Sequence, residues 1–116
     1  MKKIIEELKK GNFVIVIDDK NREDESDLVI AGEFITTEKI AFMLDHCSGI
    51  ICVPMSLDKI KKINIPLMKK INFDYATAPF CVSVDAKETH TGVSAYDRFL
   101  TIKKLCDDNA SLNDFK

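Results

Sequence analysis

No apolar run in this 116-residue chain approaches the ~20 residues needed to cross a membrane. Lysine and arginine form no cluster interleaved with aromatics, and the net charge is −2, which argues against nucleic acid as a partner. The four cysteines, Cys47, Cys52, Cys81 and Cys106, include no C-x-x-C pair, which argues against structural zinc. Met1-Lys2-Lys3 followed by Ile4-Ile5-Glu6-Glu7-Leu8 lacks the apolar stretch of a signal peptide and reads as a short amphipathic helix. These absences point to a cytoplasmic chain with reduced thiols. Repeats and low-complexity segments are absent too, and the length suits one domain that buries roughly two-thirds of its unfolded surface.

What is present is charge of one sign in one place. Asp18-Asp19-Lys20-Asn21-Arg22-Glu23-Asp24-Glu25-Ser26-Asp27 puts six carboxylates and one arginine into ten residues. Apolar runs flank it: Phe13-Val14-Ile15-Val16-Ile17 before and Leu28-Val29-Ile30 after. Crowded carboxylates repel unless a cation or a proton neutralises them. Mg2+ suits such a place, because it takes one or two protein carboxylates and leaves positions for substrate oxygens. The alternative is a solvated charged turn in which Arg22 offsets its neighbours. An EF-hand is ruled out: counted from Asp19, its sixth and twelfth positions hold Asp24 and Ile30 instead of glycine and glutamate.

A second segment, Thr89-His90-Thr91-Gly92-Val93-Ser94-Ala95-Tyr96-Asp97-Arg98, carries a capping-box spacing at Ser94 and Asp97. It predicts a helix from Ala95 to about Cys106. Thr91, Gly92 and Ser94 just before that start are candidate phosphate contacts, although capping alone also explains them. The rest of the chain predicts an N-terminal helix, strands over Phe13–Ile17 and Leu28–Ala31, and a helix from Glu38 to His46. A strand over Ile50–Val53, a helix from the Ser56 cap to Ile63, a long irregular connection from Pro66 to Pro79 and a strand over Phe80–Asp85 follow. Cys81 and Cys106 are expected in the core, and His46 as a C-terminal helix cap.

Four motifs then occur in one order: Arg22-Glu23-Asp24-Glu25-Ser26-Asp27-Leu28-Val29, His46-Cys47-Ser48-Gly49-Ile50-Ile51-Cys52-Val53, Phe80-Cys81-Val82-Ser83-Val84-Asp85 and Thr91-Gly92-Val93-Ser94-Ala95-Tyr96-Asp97-Arg98. Together they resemble the 3,4-dihydroxy-2-butanone 4-phosphate synthases of riboflavin biosynthesis, over nearly the whole chain. The resemblance implies an α+β fold, with a mixed sheet and flanking helices, and a homodimer. It also implies an enzyme dependent on Mg2+ (or Mn2+) that converts the sugar phosphate ribulose 5-phosphate to a four-carbon phosphate plus formate. Carried over residue by residue, it makes Glu23 the metal ligand and Asp18, Glu25, Asp27 and Cys52 catalytic. Arg22, Glu23, Asp27 and Thr91 become substrate-binding.

The chain departs from the pattern in places. Ser26 stands where the family usually has glycine, Ala78 and Pro79 replace a segment that often carries Gly and Thr, and His90 occupies a position usually held by another residue. The family continues past the equivalent of Ser111-Leu112-Asn113-Asp114 with an Arg-Pro-Gly-His stretch, a His-Thr-Glu motif and a later glutamate. The expectation is therefore a single but incomplete synthase-like domain over residues 1–116, truncated at its C-terminus and impaired in activity. Apolar faces of Val14, Ile15, Val29, Ile51 and Val82 are expected to be partly uncovered. A non-catalytic remnant or dimerising fragment is the second hypothesis, and an unrelated acidic metal-binding module the third.

Overall fold

The computed structural model describes residues 2–68 and 79–116. The expected irregular connection from Pro66 to Pro79 therefore lies mostly outside the described residues, as does Ala78. Helix α1 (Lys2–Lys9) buries no residue fully, and Ile4 and Ile5 stay half exposed. Its end is closed by Gly11, whose φ of +76° suits glycine and whose N–H reaches the Leu8 carbonyl at 3.0 Å. A hairpin follows: β1 (Val14–Ile17) pairs antiparallel with β2 (Ser26–Val29), Val14 opposite Val29 and Ile17 opposite Ser26.

Helix α2 (Thr37–His46) starts where the Thr36 hydroxyl accepts the Lys39 N–H at 3.2 Å. His46 closes it as expected, with Nδ1 2.9 Å from the Phe42 carbonyl. Helix α3 (Leu57–Ile63) is capped by Ser56 and ends at Asn64, which takes the left-handed conformation that asparagine tolerates. Helix α4 (Ala95–Cys106) begins at the Ser94 cap and packs against α2. The Ser111–Asp114 spacing gives a single 3-10 turn over Leu112–Asp114, with Asp114 Oδ2 accepting the Ser111 N–H at 2.8 Å.

Two apolar clusters hold these elements. Ile35, Ile40 and Ile102 form one, between α2 and α4; Ile63, Ile65, Leu105, Ala110 and Phe115 form the other, beneath α3 and the chain end. Lys39 braces the first from outside, its ammonium donating to the carbonyls of Gly11 and Phe34.

The chain is α+β, but its sheet is smaller than expected. Among the described residues it is one antiparallel pair rather than a mixed sheet. The segments 50–53 and 80–85 carry no ladder. Leu67 makes an isolated bridge to Cys81 and Ala86 one to Phe115, because no continuous partner strand lies alongside either segment among the described residues. The second strand begins at Ser26 rather than Leu28, since Ser26 and Asp27 are held by pairing to Ile17 and Val16. Cys81 is half-buried against the second cluster. Cys106 is exposed instead of core, with its sulfur lying over Gly32. Of the apolar residues expected to be uncovered, Ile15 and Val82 are exposed, while Val14, Val29 and Ile51 are half-buried.

Candidate active site

The acidic stretch is the loop of the hairpin. Period-two alternation gives it direction: Val16 and Asp27 oppose each other, so their side chains share one face, while Ile15, Leu28, Ile17 and Ser26 share the other. One step further out, the Asp18 N–H donates to the Glu25 carbonyl at 2.9 Å, so the alternation carries Asp18 and Glu25 onto the face of Asp27. Three carboxylates separated in sequence thereby share one side of the hairpin.

Asp18 organises the loop. Its Oδ1 accepts the Asp19 N–H at 2.8 Å, and its Oδ2 accepts Arg22 Nη1 at 3.0 Å and the Glu23 N–H at 3.2 Å. Partial burial works against its charged form, yet those N–H groups and the guanidinium outweigh it and hold the carboxyl below its usual range. The same contact raises Arg22 further above its usual value. The other arm of Arg22 lies 3.5 Å from Glu23 Oε2, so one guanidinium spans both carboxylates. Asp24 turns the chain with φ +51°, a conformation that aspartate adopts more readily than most residues. Ser26, the departure from glycine, has no positive φ and sits in the strand.

Glu23 keeps most of its side chain exposed (60%). Among the described residues no three His, Cys, Asp or Glu side chains converge into a metal cage. A hydrated Mg2+ needs fewer: it keeps several waters and binds through one or two carboxylates. The exposed carboxylates of the hairpin, Glu23 among them, have the chemistry for that mode of binding.

Thr91 is exposed, in a turn leading into α4. The Gly92 N–H, a candidate phosphate donor, is already engaged: it donates to Asp97 Oδ2 at 3.1 Å, and the His90 N–H donates to the same oxygen at 3.2 Å. Ser94 Oγ accepts the Asp97 N–H at 3.0 Å, which is the cap the spacing predicts. The Asp97 carboxylate does not complete the box by reaching back to Ser94. Burial opposes its charge, but the Gly92 and His90 N–H groups together with His90 bring it below its usual range. Asp97 thus does more than the capping spacing predicts, since its carboxylate holds the turn that precedes the helix; a carboxylate five residues beyond a glycine in a hydroxyl-rich turn was the available signal. Among the described residues no hydrogen bond or ion pair links Cys52 or Thr91 to the hairpin, and Cys52 is exposed.

Fold and site together define an α+β chain whose hairpin gathers carboxylates and an arginine on one rim. A sequence-family model of 3,4-dihydroxy-2-butanone 4-phosphate synthase matches residues 2–116, and the chain belongs to that family. It is 48% identical over 111 residues to the synthase of Helicobacter pylori (strain ATCC 700392 / 26695), covering 96% of this chain and 32% of the relative. With the synthase of Pyricularia oryzae identity is 42% over 115 residues, covering 97% and 49%. A crystal structure of a 3,4-dihydroxy-2-butanone 4-phosphate synthase in complex with two magnesium ions superposes with a TM-score of 0.92 at 41% identity, covering 99% of this chain and 54% of that one. A cation-free form gives 0.87 at 40% identity. The chain thus spans between about a third and a half of these relatives' length.

Proposed function

We propose that these residues form part of a single 3,4-dihydroxy-2-butanone 4-phosphate synthase domain, the lyase that converts ribulose 5-phosphate to the four-carbon phosphate and formate for riboflavin biosynthesis. The observation that carries this reading is the hairpin rim, where Asp18, Arg22 and Glu23 are linked to one another on a backbone that superposes on synthase structures. Glu23 would hold a Mg2+ ion, with Mn2+ as a substitute, and the ion when bound would supply Lewis-acid stabilisation of an enediolate oxygen. Arg22 is held in place by Asp18 and keeps donors for substrate oxygens. Asp18 stays ionised and is occupied with N–H groups, so its part in the chemistry is to orient Arg22 and the loop. Glu25 and Asp27 are exposed on the same face and make no hydrogen bond through their side chains among the described residues. They are the groups to accept and return protons during enolisation and dehydration. Cys52 would lie beside the substrate and Thr91 against its phosphate.

The unit is a homodimer in this reading, supported by the exposed apolar side chains of Ile15, Ile17 and Ile50. It acts in the cytoplasm on a sugar phosphate, without nucleic acid or membrane; no helix among the described residues is long and apolar enough to cross a bilayer. By themselves the 116 residues should release formate only at trace rates, because groups that act as a unit lose most of their effect when some are absent. The test is formate production from ribulose 5-phosphate with Mg2+, first by this chain and then with the remaining portion of a synthase domain supplied in trans. Turnover that appears on addition and vanishes with Glu23→Gln supports the reading. Robust turnover by the chain alone refutes the impairment, and none in the completed domain refutes the assignment.

A further inference from the structure

Thr91 is exposed, yet the N–H groups of its two neighbours in sequence are tied to one atom. Asp97 Oδ2 accepts the N–H of His90 at 3.2 Å and that of Gly92 at 3.1 Å. We propose that Asp97 is a positioning residue that fixes the turn presenting Thr91 to the substrate phosphate, an inference that rests on the sugar-phosphate reading above.

The turn is anchored to the helix that contributes to both apolar clusters. Asp97 is buried, and it occupies the third position of α4, whose Ile102 and Leu105 lie in the two cores. Its own N–H is held by Ser94 Oγ, and its carbonyl accepts the Thr101 hydroxyl at 3.1 Å. Thr101 in turn accepts the Ala86 N–H at 3.0 Å, which ties the strand-like segment before the turn to the same helix. The turn is restrained from its other side as well. Gly92 has φ +76°, and a Cβ there would run into the Asp85 carboxylate. Asp85 is itself fixed by a reciprocal pair of backbone hydrogen bonds with Lys116, at 2.9 and 2.8 Å.

Simple capping does not account for this arrangement. A capping carboxylate reaches back to the N–H of the cap residue, whereas this one bypasses Ser94 and brackets Thr91. Its other oxygen, Oδ1, is buried without a hydrogen-bond partner, with the exposed His90 ring nitrogen 3.7 Å away. Direct contact with phosphate does not account for it either, because a buried carboxylate repels an incoming anion. What remains is geometry: the carboxylate holds the N–H groups of the two flanking residues and leaves Thr91 exposed on a fixed turn.

The experiment is a titration of the 15N-labelled chain, completed in trans with the remaining portion of a synthase domain and kept free of divalent cations, with ribulose 5-phosphate, followed by NMR, for wild type, Asp97→Asn, Thr91→Ala and the double variant. Asp97→Asn preserves volume and leaves the Ser94 cap intact, since that cap uses the backbone N–H. We expect it to raise the Kd at least about tenfold, the factor that follows loss of a charge-assisted hydrogen bond holding a loop. We also expect the double variant to bind no more weakly than Thr91→Ala, because Asp97 acts through Thr91. A merely structural role would give additive effects. Additive effects, or wild-type affinity in Asp97→Asn, overturn the positioning role alone. No shift at Thr91 or Gly92 in the wild type overturns the sugar-phosphate reading and this role together. Should Asp97→Asn fail to fold, hydrogen exchange in the wild type decides: protected His90 and Gly92 amides before ligand is added support the bracket, and rapid exchange at both removes it.

Discussion

Replacing Gly92 by alanine should cost stability in two separable ways. The first is conformational: φ is +76°, and a Cβ in the left-handed region costs roughly 1–2 kcal/mol. The second is steric, because the new methyl would occupy the space of the Asp85 carboxylate. The clash is with the end of a short side chain whose backbone is paired twice with Lys116, so the steric part persists to the extent that the carboxylate does not rotate away. Overpacking of this kind costs ~1–3 kcal/mol. The sum, about 2–5 kcal/mol, is a large share of the ~5–15 kcal/mol typical of a domain. Urea unfolding of wild type, Gly92→Ala, Asp85→Ala and the double variant measures both parts, provided the slope m stays constant. In the Asp85→Ala background the steric part disappears and only the cost of about 1–2 kcal/mol in the left-handed region remains. Equal costs of Gly92→Ala in both backgrounds would refute the contact with Asp85. No cost in either would refute the backbone geometry itself.

Three further outcomes are expected. Ile40→Ala, at a fully buried position between α2 and α4, should destabilise the chain by ~2–5 kcal/mol, read as a drop in urea midpoint; a change within error would mean that the α2–α4 core is not formed. Because the carboxyl of Asp18 is lowered in the folded state, its contribution to the hairpin loop is present above the unfolded value of about 3.9 and is lost as pH falls through the lowered folded value. The side-chain carboxyl carbon resonance of Asp18 should therefore hold steady from neutral pH to about that value and move only below it; a midpoint on the alkaline side would contradict the Asp18 bonds. Glu23→Gln should weaken Mn2+ binding, measured by paramagnetic relaxation, by at least the ~10–100-fold that loss of an outer-sphere partner costs, and identical titrations would remove Glu23 from the metal site.

The helices were legible because their signals are local. Thr36, Ser56 and Ser94 each accept an N–H three residues on, and those hydroxyls mark the starts of α2, α3 and α4 in the sequence itself. Strand status is different, since it depends on what lies alongside. Ile50-Ile51-Cys52-Val53 and Phe80-Cys81-Val82 have β-type composition, but pairing is a property of two segments and no single run reports it. The opposite error occurred at Ser26 and Asp27, poor strand formers that cross-strand pairing places in β2. In the site, the crowding of carboxylates was visible, and so was the motif around Thr91. Hidden was the difference within the crowd, because only the folded loop reveals that Asp18 accepts from three N–H donors while Glu25 and Asp27 have no side-chain hydrogen bond among the described residues. Asp97 was hidden for a related reason: its backbone obeys the capping rule, while its carboxylate serves a turn that precedes the helix.

The alternation along the hairpin has an evolutionary corollary. Which carboxylates share one face of the hairpin is decided by parity, by whether each lies an even or odd number of residues from Val16 and its partner Asp27. Substitutions within Val14–Ile17 or Ser26–Val29 can be absorbed one at a time. Losing or gaining a single residue there would turn Asp18 or Asp27 to the opposite side, together with everything between it and the loop. Between Asp19 and Asp24 no ladder imposes that count, but Asp18 reaches across it to Arg22 and to the Glu23 N–H, so the tip too is held to its length. Descendants of this chain should therefore vary the hairpin by substitution at Lys20 and Asn21 and leave both arms and tip at constant length.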